Sequence, residues 1–175
     1  MLEVRLIDKS HKGDINILNE PFEVFGRFVV SYTDGKWDYK VCPYPKKDVK
    51  EMTFPNENYD YDKMSDCSFI GSYDGEKCVG LAILQPAPFK YIYLYDLKVC
   101  KAYRGQGVGK MLIDEAKKVA LSRGYCGVYT IGQDNNVGAC AFYIKNGFNI
   151  GGLDSRVYDH TPQQGKSDIY FYLDI

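Results

Sequence analysis

A mixed α/β sheet is the fold class that this sequence predicts, and three observations predict it. Strand-like alternation and turn signals fill the first hundred residues; a strand, helix, strand, helix, strand succession follows; and a glycine-rich turn stands where the first of those later strands passes into its helix. The chain has 175 residues, 45% apolar and 26% charged, the size and composition of one folded domain. Residues 1–175 are therefore expected to form a single domain with an N-terminal half, 1–90, and a C-terminal half, 91–175.

Leu2, Val4 and Leu6 alternate with polar residues, the period of a half-buried strand. Residues 28–32, a turn at Asp34-Gly35 and residues 37–41 read as a hairpin, or as a helix end followed by a strand. Pro43, Pro45 and Pro55 punctuate residues 43–66, which predicts a long irregular segment of the kind that serves function in compact domains. Asp74-Gly75 between runs 67–73 and 77–84 is the clearest hairpin signal, and Pro86-Ala87-Pro88 turns the chain into a strand over 91–100. Val108, Met111, Leu112, Ala116, Val119 and Ala120 recur at helical spacing up to a stop at Gly124. Residues 128–131 form a short strand, and Asp134, Asn135 or Asn136 caps a second helix that presents Ala139, Cys140, Phe142 and Tyr143 and ends at Gly147. The alternating run 169–173 closes the sheet.

The strand over 91–100 changes phase. Ile92 and Leu94 are apolar at even positions, Leu97 and Val99 at odd ones. A β-bulge between 94 and 97 produces this pattern, and so does a strand buried on both faces.

Several functions are excluded. Net charge is −1 and no run of five or six Lys/Arg appears, so nucleic acid is not an expected partner. No stretch nears the roughly 20 apolar residues of a membrane-spanning helix, and the start lacks a basic segment followed by an apolar run. A soluble cytoplasmic protein, with no membrane partner, is the expectation. Six cysteines without a C-x-x-C pair, beside only two histidines, suit buried free thiols in a reducing compartment and no metal. The sixteen tyrosines are mostly sheet formers; a minority could line a pocket for a cation.

The chemistry is concentrated in Tyr103-Arg104-Gly105-Gln106-Gly107-Val108-Gly109-Lys110. Glycines at alternate positions bring backbone N–H groups to a helix N-terminus, where the dipole and unpaired donors favour a diphosphate. The nucleotide-triphosphate loop G-x-x-x-x-G-K-[ST] does not fit, because Gly105 and Gly109 are one position too close and Met111 replaces the metal-binding hydroxyl. The dinucleotide fingerprint fails too, with Lys110 where its third glycine belongs.

Arg104-x-x-Gly107-x-Gly109 resembles the pyrophosphate loop of the Gcn5-related N-acetyltransferase (GNAT) superfamily. Asn136-x-x-Ala139-x-x-Phe142-Tyr143, followed by Asn146-Gly147-Phe148, is similar to that superfamily's second signature helix. The resemblance implies a GNAT fold: a central mixed sheet, flanked by helices, whose fourth strand is bulged and splayed. It also implies acetyl-CoA as cosubstrate, bound by the backbone of Leu97, Lys98 and Val99, by Arg104, Gly105, Gln106, Gly107, Val108, Gly109 and Lys110, and by Asn136, Ala139 and Tyr143. The C-terminal half, 91–175, is then the acetyl-CoA half and 1–90 the acceptor side.

An alkyl ammonium, pKa about 10.4, must lose a proton before it attacks a thioester. Asp96 is the candidate base on the bulged strand; a salt-bridged strand carboxylate is the alternative. A backbone N–H near Val99 is the candidate for the thioester oxygen. Tyr143 matches the superfamily's usual tyrosine and is the candidate acid for the departing thiolate, with core packing as the alternative.

Glu20-Pro21-Phe22-Glu23-Val24, Trp37, Gln133-Asp134-Asn135-Asn136, and Gly152-Leu153-Asp154 with Tyr158 narrow the resemblance to streptothricin acetyltransferases over nearly the whole length. It implies a small-molecule amine as partner, a monomer or homodimer, and an acceptor site built from Glu20, Glu23, Tyr95, Asp96, Asp154 and Tyr158. Two departures remove negative charge: Tyr95 stands where that family carries Glu, and Ile131 where it carries an acid. A different small amine is the main competitor as acceptor; acetylation of a protein N-terminus or lysine, and a noncatalytic acyl-CoA-binding module, are the other readings.

Overall fold

Eleven strands and two α-helices follow one another along the chain in a computed structural model that describes all 175 residues. They are β1 (Leu2–Leu6), β2 (Phe22–Val24), β3 (Gly26–Thr33), β4 (Lys36–Pro43), β5 (Lys50–Met52), β6 (Ser68–Asp74), β7 (Lys77–Gln85), β8 (Tyr91–Val99), α1 (Val108–Ser122), β9 (Gly127–Gln133), α2 (Val137–Lys145), β10 (Asn149–Asp154) and β11 (Asp168–Asp174). Short 3-10 helices lie at Lys9–Asn16, Lys46–Asp48 and Lys101–Tyr103. The mixed α/β class expected from the sequence is the class observed. No helix is long and apolar enough to cross a membrane. Two compact units result: Met1–Glu20 with Thr53–Val128 and Asp174–Ile175, and Pro21–Met52 with Tyr129–Leu173.

In the first unit β1, β6, β7 and β8 lie side by side in that order, each antiparallel to the next. The β6–β7 turn is one position later than the sequence suggested. Asp74 pairs with Lys77, so Gly75-Glu76 forms the two-residue loop, and only Gly75 has to adopt a positive φ, 61°. One face of this sheet carries α1. A Cβ added to Gly80 of β7 would lie 2.9 Å from Val108 Cγ1 and 3.1 Å from Leu112 Cδ1, so the helix rests directly on the strand. The other face carries a second core of Ile7, Ile15, Phe69, Leu81 and Ile83, against which Tyr59, Tyr61 and Met64 pack. Asp8 starts the Lys9–Asn16 turn by accepting from the N–H groups of Ser10 and His11. Sequence reading missed this turn, whose one buried apolar residue is Ile15.

The phase change in β8 is a bulge. Leu84 pairs with Leu94 and Ile83 with Asp96, which leaves Tyr95 without a partner on β7. Leu94 and Leu97 therefore both fall on the α1 face, while Asp96 and Lys98 fall opposite Ile83 and Leu81 on the other.

In the second unit β3 and β4 form the hairpin, with positive φ at both Asp34 (51°) and Gly35 (77°) as a type I′ turn needs. The helix-end alternative for 28–41 is thereby excluded. Residues 43–66 are not irregular throughout, because β5 pairs antiparallel with β2. Three-residue strands are too short to show alternation. β11 does not close its sheet: β9, β11 and β10 run in that order, so β10 lies outside it. Gly151 and Gly152 hid β10 by interrupting its apolar pattern. Gly151 also lets Tyr172 pass, since a Cβ there would sit 2.4 Å from the Tyr172 Cδ2. Asn136 caps α2 by accepting from Ala139 N–H at 3.2 Å, and Gly147 ends it at φ 90°.

Gly80→Ala forces α1 off β7, since the β-branched Val108 has little rotamer freedom in a helix. A loss of about 1–3 kcal/mol is expected, read as a lower urea midpoint at unchanged slope.

Candidate functional site

The segment that follows β8 is a turn built to end in a bare helix N-terminus. The Glu20 carboxylate accepts from Lys101 N–H and fixes the 3-10 turn, and Arg104 Nε donates to Val99 O at 3.0 Å. Gln106 Nε2 donates to Ala102 O at 2.7 Å, closing the turn from its far side. Gly105 and Gly107 take φ of 77° and 85°, the left-handed region where a side chain is strained. Gly109 lies inside the first turn of α1, so two of the three glycines make the bend. Gly107 caps α1 and has no side chain to bond to it; the first helical bond runs from Met111 N–H to Gly107 O at 3.0 Å. The N–H groups of Val108, Gly109 and Lys110 thus have no partner within the helix, and the dipole adds positive potential beside them. A Cβ on Gly105 or Gly107 would meet no atom within 4 Å. The arrangement fits a diphosphate, which can approach the amides without displacing a side chain. Lys110 pairs with Asp114 on the helix flank.

Beyond the bulge, β8 carries a network of charge. Tyr59 Oη donates to Asp96 Oδ2 at 2.9 Å, and Lys98 Nζ lies 3.0 Å from the same oxygen. Lys98 Nζ also donates to Glu57 Oε2 at 2.8 Å and stands 5.6 Å from the centre of the Tyr59 ring. Burial pushes the Asp96 carboxyl above the usual range, opposed by Lys98 and Tyr59. Burial together with Asp96 pushes the Tyr59 phenol up strongly, so it stays a donor. Tyr95, half-exposed at the bulge, meets Tyr59 and Tyr93 edge-on at 6.0 and 5.7 Å.

The second unit holds the remaining predicted residues. Tyr143 on α2 is buried among Phe142, Phe148 and Phe171, with ring centres 5.3–5.7 Å apart. Tyr158 Oη donates to Asp168 Oδ1 at 2.8 Å, and burial pushes the phenol up to about 12. Asp154 Oδ1 accepts from the N–H groups of Arg156 and Val157, both at 2.9 Å, so this carboxylate shapes the turn after β10. Asp134 is buried and pairs with Arg27.

Against the sequence reading, Asp96 and Tyr95 do share one patch of β8. Glu20 instead braces the glycine loop, and Glu23 is exposed on β2 opposite Glu51. Glu57 and Asp168 were not among the candidates, and Tyr59 was legible only as one of the tyrosines that could line a pocket for a cation. For Glu57 the only signal was the length of the 43–66 excursion; for Asp168 there was none.

The acetyltransferase (GNAT) family model matches residues 30–148, more than half the chain. The chain belongs to the GNAT family. This acetyltransferase is 31% identical to streptothricin acetyltransferase A of Bacillus subtilis (strain 168) over 159 residues, covering 91% of this chain and 92% of that one. It is 35% identical to a streptothricin acetyltransferase of Escherichia coli over 91% of its own length and 80% of the relative's. A crystal structure described as a streptothricin acetyltransferase of Bacillus anthracis str. Ames, in complex with acetyl coenzyme A, aligns over 100% of this chain and 99% of that one. The two are 30% identical, with a TM-score of 0.87.

Acetyl-CoA should raise the melting temperature by binding the native state. Gly107→Asp abolishes that rise by setting a carboxylate against the diphosphate, whereas Gly107→Asn, which also tolerates the left-handed backbone, retains most of it. Thermal shift with both variants separates charge from backbone strain.

Proposed function

We propose that this GNAT enzyme transfers the acetyl group of acetyl-CoA to a primary amine of a small cationic acceptor of the streptothricin type, a reaction that would confer antibiotic resistance. The carrying observation is likeness to streptothricin acetyltransferases over nearly the full length of both chains. Such coverage includes the N-terminal half, which cofactor motifs alone do not explain. The family match runs through both compact units, which supports treating them as one catalytic domain. Six free cysteines support a reducing, cytoplasmic setting.

Acetyl-CoA supplies the acyl group as a thioester whose thiolate departs. In this reading the amides of Val108, Gly109 and Lys110 hold its diphosphate, with Arg104 steadied by the Val99 carbonyl. The backbone of Leu97, Lys98 and Val99 holds the pantetheine arm, and Asn136 and Ala139 serve through the start of α2. Asp96 takes the proton from the acceptor ammonium; its raised pKa makes it a stronger base than an exposed carboxylate. Tyr143 gives a proton to the departing thiolate, and its aromatic surroundings fix the ring for that role. The acidic, tyrosine-lined patch around Asp96, with Glu57, suits a cationic acceptor.

Free thiol release from acetyl-CoA should accelerate with streptothricin, and Tyr143→Phe should lower kcat by about 10²-fold or more while the KM for acetyl-CoA holds. Release with peptide amines but not with streptothricin would overturn the acceptor assignment; an unchanged kcat would leave Tyr143 a packing residue.

A further inference from the structure

Lys98 is an odd residue to find where it is. Its side chain is 11% exposed, inside a sheet face that otherwise carries Leu81, Ile83 and Phe69. A buried ion pair is a poor source of stability, because desolvation of both charges offsets their attraction. Yet the chain fixes this lysine from two sides. Asp96, 16% exposed, meets it from its own strand, and Glu57 meets it from the 53–60 segment. That segment is itself tied down. Asn19 Nδ2 donates to Glu57 Oε2 at 2.9 Å, Asn19 N–H donates to Asn56 Oδ1 at 2.7 Å, and Asn16 exchanges two hydrogen bonds with the Tyr59 backbone at 2.7 and 2.9 Å.

The geometry at Asp96 is asymmetric. Tyr59 Oη and Lys98 Nζ both converge on Oδ2, and neither falls on Oδ1. A carboxylate that were merely neutralised would gain as much from one donor on each oxygen. We propose that Lys98 and Tyr59 are positioning residues for Asp96: they pin the carboxylate by Oδ2, keep it ionised, and reserve Oδ1 for the acceptor ammonium. This rests on the reading of Asp96 as the base. In that step an N–H bond of the ammonium breaks, Oδ1 gains the proton to give the carboxylic acid, and the electron pair stays on nitrogen for attack on the thioester.

The charged and titratable groups facing Asp96 are Lys98, Tyr59 and Glu57. Burial and the Glu57 charge favour the protonated acid; Lys98 and the Tyr59 hydroxyl favour the carboxylate. Asp96 must be ionised to accept, so its protonation forms the acid limb of kcat/KM. Removing a group that favours the carboxylate moves that limb to higher pH.

The test is the pH profile of kcat/KM for the acceptor amine at saturating acetyl-CoA, measured on the full chain. Lys98→Met should shift the acid limb upward and cost about tenfold at pH 7, with the KM for acetyl-CoA unchanged. Lys98→Arg should restore the limb, and Tyr59→Phe should shift it in the same direction by less. Asp96→Asn should lose about 10²-fold or more on the plateau above the limb and should lack the limb itself. If Asp96→Asn is inactive but the limb of Lys98→Met coincides with wild type, the positioning role is overturned. If Asp96→Asn keeps its activity, the base assignment itself fails and the positioning role with it. Should Lys98→Met not fold, an unmoved limb in Tyr59→Phe overturns the proposal alone.

Discussion

One unpaired residue, Tyr95, governs the first unit. Had β8 continued in phase from Ile92 and Leu94, Asp96 and Lys98 would point at α1, where Gly80 already shows that there is no room for a methyl group. Two charges would then lie in an apolar layer at a cost of several kcal/mol each. The bulge at Tyr95 returns Leu97 and Val99 to that layer and turns Asp96 and Lys98 to the opposite face. Register elsewhere in the strand follows. Val99 pairs with Gly80, the strand ends there, and its carbonyl receives Arg104.

The two ends of this arrangement carry opposite electrical characters. Past Val99 the chain offers amides and a guanidinium, suited to an anion; before it Asp96, with aromatic rings beside it, suits a cation. Glu20 looks misplaced beside an anion-binding loop until its bonds are followed. Its carboxylate accepts from Lys101 N–H and stands 4.0 Å from the Arg104 guanidinium, so it holds the turn in shape and orients the cation that faces the loop. A negative charge at that point is outweighed by the three helix amides, Arg104 and Lys101.

What the sequence disclosed was whatever depends on a residue's own backbone or on a short period. The left-handed glycines at 105, 107 and 147 are local and were legible; the Asn136 cap, the Asp34-Gly35 hairpin and the bulge in β8 are local too, and each was legible as one of two or three alternatives. Gly109 was read as part of the bend because spacing cannot separate a glycine needed for φ from one inside a helix. The strands β5 and β10 were hidden because they exist only by pairing with distant residues, Phe22–Val24 and Asp168–Asp174. Glu20 was assigned to the acceptor through its neighbours in sequence, whereas its hydrogen bond reaches 81 positions along the chain. The pairings of Glu57 and Tyr59 were invisible for the same reason: their partners, Lys98 and Asp96, lie 41 and 37 positions away.

That long-range supply of charge bears on the acceptor site proposed around Asp96. The streptothricin acetyltransferase pattern carries Glu beside the strand aspartate, and this chain carries Tyr95. A tyrosine face attracts an ammonium by roughly 0.5–2 kcal/mol, less than a desolvated carboxylate provides. Glu57 brings a second carboxylate beside Asp96, and Lys98 bridges the two. In that patch Lys98 and the Tyr59 hydroxyl favour the ionised form of Asp96, while burial and the Glu57 charge oppose it. But an acid on a strand is held by the sheet, whereas Glu57 is held by Asn19 and by the fold of the 53–60 segment. Glu57 therefore reaches Lys98 only through the ordering of that segment, and loosening it would withdraw this carboxylate from the patch around Asp96.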